Sequence, residues 1–410
     1  MKKVFFIIRI LLFTAVFFAL LVTASYIVRP QSEMKTRFAG FYAEPKNTID
    51  VVLLDMNYRI GFEDGKFDEN DYILFYAQAP TTWSYNIFTK KYYHHNNIYS
   101  DTSYYFFTPD KGTAKSINIV DCTSNIPTQI VTSFSDYVVH ENDFENMISS
   151  GKEWYGERFT SDTSEREFVF SFPNLIESEP VYLDMEIIGR AHVDSYYEVS
   201  INGVSIVDSA QIRMISSSLG IFARKSSSTE SFVVEGDEIK VSIRYLSDDN
   251  NAIAWLDFIE LNVERLLKFE GGQLKFCNPN ISGTDKVSEY YISNVAANDV
   301  VWEITDIHNP RIISGINEEN NFKFSIPTDS TLTFTVFEEN SYYSPVSYED
   351  IENQNLHGVV DVNFVIIRPE KFADEAERLA NIHRSNDNLT TICISPKQIY
   401  NEFSSGSQDI

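Results

Sequence analysis

The chain has 410 residues, with 33 Lys and Arg against 59 Asp and Glu and a formal net charge of -26. That balance argues against nucleic acid or an anionic membrane surface as the main partner, since an acidic surface repels phosphate. The abundance of aromatics, 23 Tyr and 31 Phe, argues against a disordered chain and suits packed β-sheets.

In chain order, Met1-Lys2-Lys3 is basic, and Ile10 to Val28 is an uncharged, largely apolar run with Arg9 at its edge. At about 1.5 Å rise per residue such a run spans a bilayer core as a helix. Residues 1–30 are therefore expected to be a transmembrane anchor, with residues 4–28 in the membrane, or a signal sequence cut after Val22-Thr23-Ala24. Either leaves the chain membrane-anchored or exported, its bulk periplasmic or extracellular, because the basic residues stay inside. Residues 31–55 read as a polar stalk followed by a short strand from Thr48 to Asp55.

Residues 56–164 read as an aromatic-rich β domain, with strands at Asp71 to Ala77 and Ser103 to Phe107. Residues 165–265 alternate apolar and polar positions through Arg166 to Phe172, Val181 to Arg190, Tyr196 to Ile201, Glu238 to Ile243 and Ile253 to Leu261. The pair Asn202-Gly203 between alternating strands signals a hairpin, and the absence of helical stretches predicts a β-sandwich or jelly roll. Residues 266–350 read as a smaller β domain, closed by the acidic linker Glu349 to Asn355.

Residues 356–410 change character. Val359 to Ile367 is a buried-strand pattern, and Phe372, Ala376, Leu379, Ala380 and His383 recur at helical spacing. Leu389 to Ile394 is a second strand, and Ser395-Pro396 opens a second helix. A β-α-β-α order implies a parallel sheet, of which two strands are only the opening, so poor order is expected after about Leu389. The fold class is mainly β and multi-domain, a β-sandwich or jelly roll plus a smaller β domain, with an incomplete α/β segment at the C-terminus.

Few constellations suggest chemistry. The three cysteines, Cys122, Cys277 and Cys393, lie too far apart for a disulfide framework or metal-ligand spacing. A thiolate nucleophile needs a positioned base, and none of them stands near a His in a strand-end turn. Asp64, Asp68 and Asp71, around Gly65, could supply oxygens to calcium, but Lys66 sits among them and a solvated turn explains them as well. His94 and His95 are adjacent on a strand and so point to opposite faces, against shared zinc binding. Trp83, Tyr85, Tyr92, Tyr93, Tyr104 and Tyr105 could form a carbohydrate or peptide platform, or belong to a core. No catalytic, cofactor or metal residue is assigned.

Several strings together resemble a known family. They include Asp71 to Trp83 (DYILFYAQAPTTW), Asn97 to Phe106 (NIYSDTSYYF), Ser150 to Phe159 (SGKEWYGERF), Ala254 to Glu260 (AWLDFIE) and Val301 to Asp306 (VWEITD). Asn355-Leu356-His357-Gly358, Ala376 to Ala380 and Gln398 to Gly406 complete the set. In this order they resemble the N-terminal region of PorU-type sortases of the type IX secretion system, within the gingipain family of cysteine peptidases. The resemblance implies that residues 356–410 begin a caspase-like gingipain domain. It implies a Bacteroidetes-like source, proteolysis of C-terminal sorting signals on secreted cargo, and outer-membrane secretion components as partners. The family's catalytic His and Cys are expected after further strands, so the chain is expected to stop before them. His357 precedes the first strand and Cys393 lies within the second, so neither carries over. The alternative is a non-catalytic exported β-sandwich module for binding or scaffolding.

Residues 41–54 instead resemble membrane-anchored SGNH-type esterases, with Asp55-Met56-Asn57 where a Gly-Ser-Ser nucleophile would stand. That mismatch suggests a junction of unrelated pieces near residues 55–60.

Overall fold

The computed structural model describes residues 72–107, 115–149, 153–216, 220–338, 341–404 and 406–408, with short strands at Val4–Arg9, Ala24–Val28 and Val52–Leu53. Among these residues the fold is mostly β, and α-helices occur only in the C-terminal segment.

A β-sandwich forms the middle of the chain. One antiparallel sheet runs Ser133–Glu141, Ile253–Leu266, Val181–Arg190, Arg224–Phe232, with Arg158–Phe159 also pairing on Ile253–Leu266. The other runs Glu165–Ser171, Glu238–Leu246, Ser195–Ile201, Val204–Ile212. Alternate residues from both sheets, among them Leu183, Met185, Val199, Val241, Ile243 and Leu261, close a shared core, as the period of two requires. The predicted Asn202-Gly203 turn is present, with φ of 49° and 82°, a backbone that Asn and Gly adopt readily. A bulge in Ile253–Leu266 opposite Glu186/Ile187 shifts the register and turns Trp255 to the outer face, where it packs with Ile188 and Tyr155.

The smaller β unit has two further sheets. One runs Gln129–Val131, Val287–Ser293, Asn321–Pro327, Ile316–Glu318; the other runs Gln273–Cys277, Thr333–Phe337, Val300–Glu303, Arg311–Ser314, Asn118–Asp121. Its core is aromatic, with Tyr290 stacked on Phe324 at 5.0 Å and Phe334 edge-on to both. Residues 118–159 are therefore shared out. Asn118–Asp121 and Gln129–Val131 add parallel edge strands to the smaller unit, while Ser133–Glu141 and Arg158–Phe159 join the sandwich. This division differs from the expected separate unit over 56–164, because edge strands take their place from distant partners that local pattern does not reveal.

A hairpin of Thr82–Asn86 and Lys91–His95 covers the outer face of the sandwich. Polar residues that point outward from that sheet bind its backbone. Asn262 accepts from Tyr92 N at 2.7 Å and donates to Tyr92 O at 3.0 Å, and Glu260 accepts from His94 N at 2.8 Å.

At the N-terminus, Val4–Arg9 pairs with Tyr72–Ala77, and Ala24–Val28 lies between Ser103–Phe107 and Ser347–Asp350. The expected membrane helix through residues 4–28 is thus extended at both ends, in keeping with the β-branched and aromatic content there. Its middle, 10–23, lies outside the described residues, as do the 55–60 junction and the Asp64, Asp68, Asp71 turn. Among the described residues no helix is long and apolar enough to cross a membrane.

Candidate functional site

The α/β segment pairs Phe364–Ile367 with Thr391–Ile394 in parallel, joined by helix α1, Ala373–Asn386. Pro369 sets off the helix start, and Ala376 and Ala380 form its buried stripe. Arg384 ties α1 to the second strand, donating through Nε and Nη2 to Thr391 O at 3.1 and 2.7 Å, and pairs with Glu377. His383 lies 4.6 Å from the Phe364 ring and shares a 2.6 Å hydrogen bond with Asp387.

Helix α2, Pro396–Phe403, follows a full capping box, in which Ser395 Oγ accepts from Gln398 N and Gln398 Oε1 accepts from Ser395 N. The expected loss of order after Leu389 is therefore not what forms. Strand and helix continue, because the cap satisfies the helix start and Glu402 anchors the other end. The Glu402 side chain is fully buried, and it accepts from His357 N at 2.7 Å and Gln354 Nε2 at 2.9 Å and bonds His357 Nδ1 at 2.9 Å. Burial alone would raise its carboxyl, but donors from Leu356, Gln354 and His357 outweigh that and hold it below the ordinary carboxylate range. His357 also stacks on Phe403 at 4.3 Å. It is a fastener between linker and helix. Lys397 bridges to Glu349 at 2.6 Å, and a side chain at Gly406 would meet Tyr104 Cβ at 2.9 Å, so α2 also seats against the β part.

None of the three thiols is prepared for nucleophilic attack. Burial pushes Cys122 up to about 11 and raises Cys277, which is hydrogen-bonded to Tyr92 and Thr333. Cys393 is also raised, by burial first and then by the neighbouring Glu377. A nucleophilic thiol needs the opposite shift.

Histidines 94 and 95 point to opposite faces of the hairpin. His94 bonds Glu260 at 2.6 Å and Glu141 at 3.3 Å, whereas His95 bonds Ser84 at 2.7 Å. Among the described residues no group of three or more His, Cys, Asp or Glu is placed to hold a metal ion. The candidate aromatic platform is largely packed inward. Trp83 and Tyr92 pack at a tilt against Tyr137 with ring centres 4.2 and 4.4 Å apart, Tyr85 against Tyr92 at 5.0 Å, and Tyr105 against Phe75 at 5.1 Å. Sequence reasoning missed Glu402. Its one local signal was a carboxylate in the last turn of an amphipathic helix, away from the N-terminal end that favours acidic residues.

Residues 359–410 match peptidase family C25. The structure of dimeric latent PorU from Porphyromonas gingivalis superposes with a TM-score of 0.74 at 20% identity, covering 100% of this chain and 38% of that one. A family 36 carbohydrate-binding module in complex with calcium and xylotriose reaches a TM-score of 0.20 at 13% identity, covering 32% of this chain and 99% of that one. A family 35 module from Clostridium thermocellum reaches 0.21 at 8% identity, covering 32% and 90%. At those TM-scores neither module carries an argument about this chain. No curated protein matches it. Residues 359–410 are thus similar to peptidase family C25, and the chain as a whole shares the fold of PorU, of which it spans about two fifths.

Proposed function

We propose that the chain is the β-rich, cargo-facing part of a gingipain-type cysteine peptidase of the type IX sortase kind. Thiol chemistry would come from residues other than Cys122, Cys277 and Cys393. The observation that carries this reading is the C25 match at residues 359–410 on a chain of PorU-like fold, with helix α2 tied back to the β part by Lys397 and Glu349. On this reading the partners are secreted cargo bearing C-terminal signals and outer-membrane secretion components, met outside the cytoplasm. The chain itself would bind and position rather than cleave.

The test is to mix the purified chain with a cargo protein carrying its C-terminal signal, reading binding by calorimetry and cleavage by intact mass. Binding without cleavage is expected. Absence of binding, or cleavage abolished by Cys393→Ala, would sink the proposal.

A second reading, a non-catalytic binding module, is favoured by one observation. Both large β cores close without any residue beyond Val336. It predicts that cargo binding survives deletion of residues 356–410, whereas the peptidase reading predicts weaker binding.

A further inference from the structure

At one end of the sandwich, Arg158 lies directly across from Trp255, Trp255 across from Ile188, and Ile253 across from Arg190. A cavity of about 330 Å³ sits there, lined in part by Arg158, Arg190, His192, Phe222 and Trp255. A second cavity of about 330 Å³ is lined by Gln211, Arg213, Ile221, Ala223, Arg224 and Lys225. The short segment 221–225 contributes to both. No acidic side chain lines the second cavity among the described residues.

The guanidiniums of Arg158 and Arg190 have no carboxylate or hydrogen-bond partner among the described residues. Each is instead held against an aromatic ring, Arg190 at 3.9 Å over Phe222 and Arg158 at 6.0 Å over Trp255. Among the described residues Arg213 likewise has no partner, and the Arg224 side chain donates through Nε to Met214 O at 3.1 Å. Elsewhere in this acidic chain guanidiniums are taken up: Arg265 by Asp136 at 2.6 Å and Arg311 by Glu303 at 2.7 Å. Two carboxylates, Glu145 and Asp249, also line the first cavity, and both are already engaged. Glu145 accepts from the Trp255 indole at 2.7 Å, and Asp249 accepts from His192 N and Asn251 N, each at 2.9 Å.

We propose that these two clefts bind acidic side chains of one extended peptide segment, one carboxylate on Arg158 and Arg190 and a second on Arg213 and Arg224. A planar guanidinium fork matches a carboxylate in shape and donor direction. The aromatic rings argue against a glycan. Phe222 already carries the Arg190 guanidinium and Trp255 is only 3% exposed, so neither offers a bare face to a sugar ring. The net charge of -26 repels a long polyanion and favours a short acidic segment focused on this end. The proposal does not rest on the peptidase reading.

The test uses the full chain and a fluorescein-labelled heptapeptide with two glutamates at alternate positions, its glutamine counterpart, and an oligouronate of similar length. Anisotropy titration is expected to show binding of the glutamate peptide that weakens as salt rises. The glutamine peptide should bind about tenfold more weakly or worse, a comparison that leaves the protein unaltered. Arg158→Gln with Arg190→Gln should cause a similar loss, with the far-ultraviolet spectrum and melting point retained. Equal binding of the two peptides overturns the proposal, as does oligouronate binding more tightly than the glutamate peptide.

Discussion

At the scale of single residues, Gly315 shows how backbone approach dictates residue choice. It joins strand Arg311–Ser314 of one sheet to Ile316–Glu318 of the other, so the chain changes sheets at that point. A Cβ there would lie 2.4 Å from Lys323 O and 2.7 Å from Phe322 Cζ. The first is a backbone atom that cannot swing aside. Gly315→Ala is therefore expected to cost about 1–3 kcal/mol, the usual range for overpacking. Gly283 meets nothing closer than Lys286 Cγ at 3.5 Å, so Gly283→Ala is the control and should be near neutral. Equilibrium urea unfolding of both variants separates the two outcomes, and equal stabilities would refute the steric account.

At the scale of elements, the hairpin and helix α2 each carry a fastening group that titrates, His94 and Glu402, with opposite pH behaviour. Burial alone would lower the His94 imidazolium, but hydrogen bonds and charge from Glu141 and Glu260 prevail and raise it to about 9. Since the folded value lies above the ordinary one of 6.5, its contribution to hairpin docking is present in full below about 6.5 and is lost as pH rises through about 9. Amide exchange at Tyr92 and His94, whose N–H groups bond Asn262 and Glu260, should accelerate beyond the ordinary base-catalysed trend across that window. His94→Gln should flatten this extra dependence; an unchanged profile would reject it. Glu402 has the reverse sign. Its folded value is depressed, so the clamp on Leu356 and His357 is present above the ordinary carboxylate range and weakens as pH falls through the folded value. Glu402→Ala leaves backbone donors buried without an acceptor, which costs about 3 kcal/mol or somewhat less. Exchange at His357 N should report it directly.

Some of these elements were legible in the sequence. The sandwich strands announce themselves by alternation, and Asn202-Gly203 by the one backbone shape it favours. Helix α1 shows its buried stripe, and Ser395 with Gln398 shows its cap. What escaped was long-range. Asn118–Asp121 and Ile130 are edge positions whose partners lie about 160 to 200 residues away, and local periodicity says nothing of such pairing. Asn262 and Glu260 read as outward and solvated, yet a hairpin from 166 or more residues earlier covers them. Glu402 escaped for the same reason, since its partners are supplied by the linker rather than its own helix.

At the scale of the whole molecule, the β part and the α/β segment differ in how well they bury apolar surface. The sandwich and the smaller unit each enclose a contiguous core. The α/β segment instead leaves Val360 75%, Ile367 60%, Ile382 52% and Val365 50% exposed. Val365 and Ile367 lie on one face of the two-stranded sheet, and their register partners are Ile392 and Ile394, so that face is an apolar strip. Phe364 and Ile366, on the other face, are the residues shielded alongside α1, where Phe364 meets His383. A parallel sheet is ordinarily covered on both faces, so this strip is apolar surface left uncovered among the described residues. The full chain should accordingly bind the dye ANS strongly and show concentration-dependent self-association in light scattering. A variant lacking residues 356–410 should lose most of both while keeping the main unfolding transition within a few degrees, because its two large cores are untouched. Should that deletion instead abolish the main transition, the segment would be an integral support of the β scaffold rather than a part seated upon it.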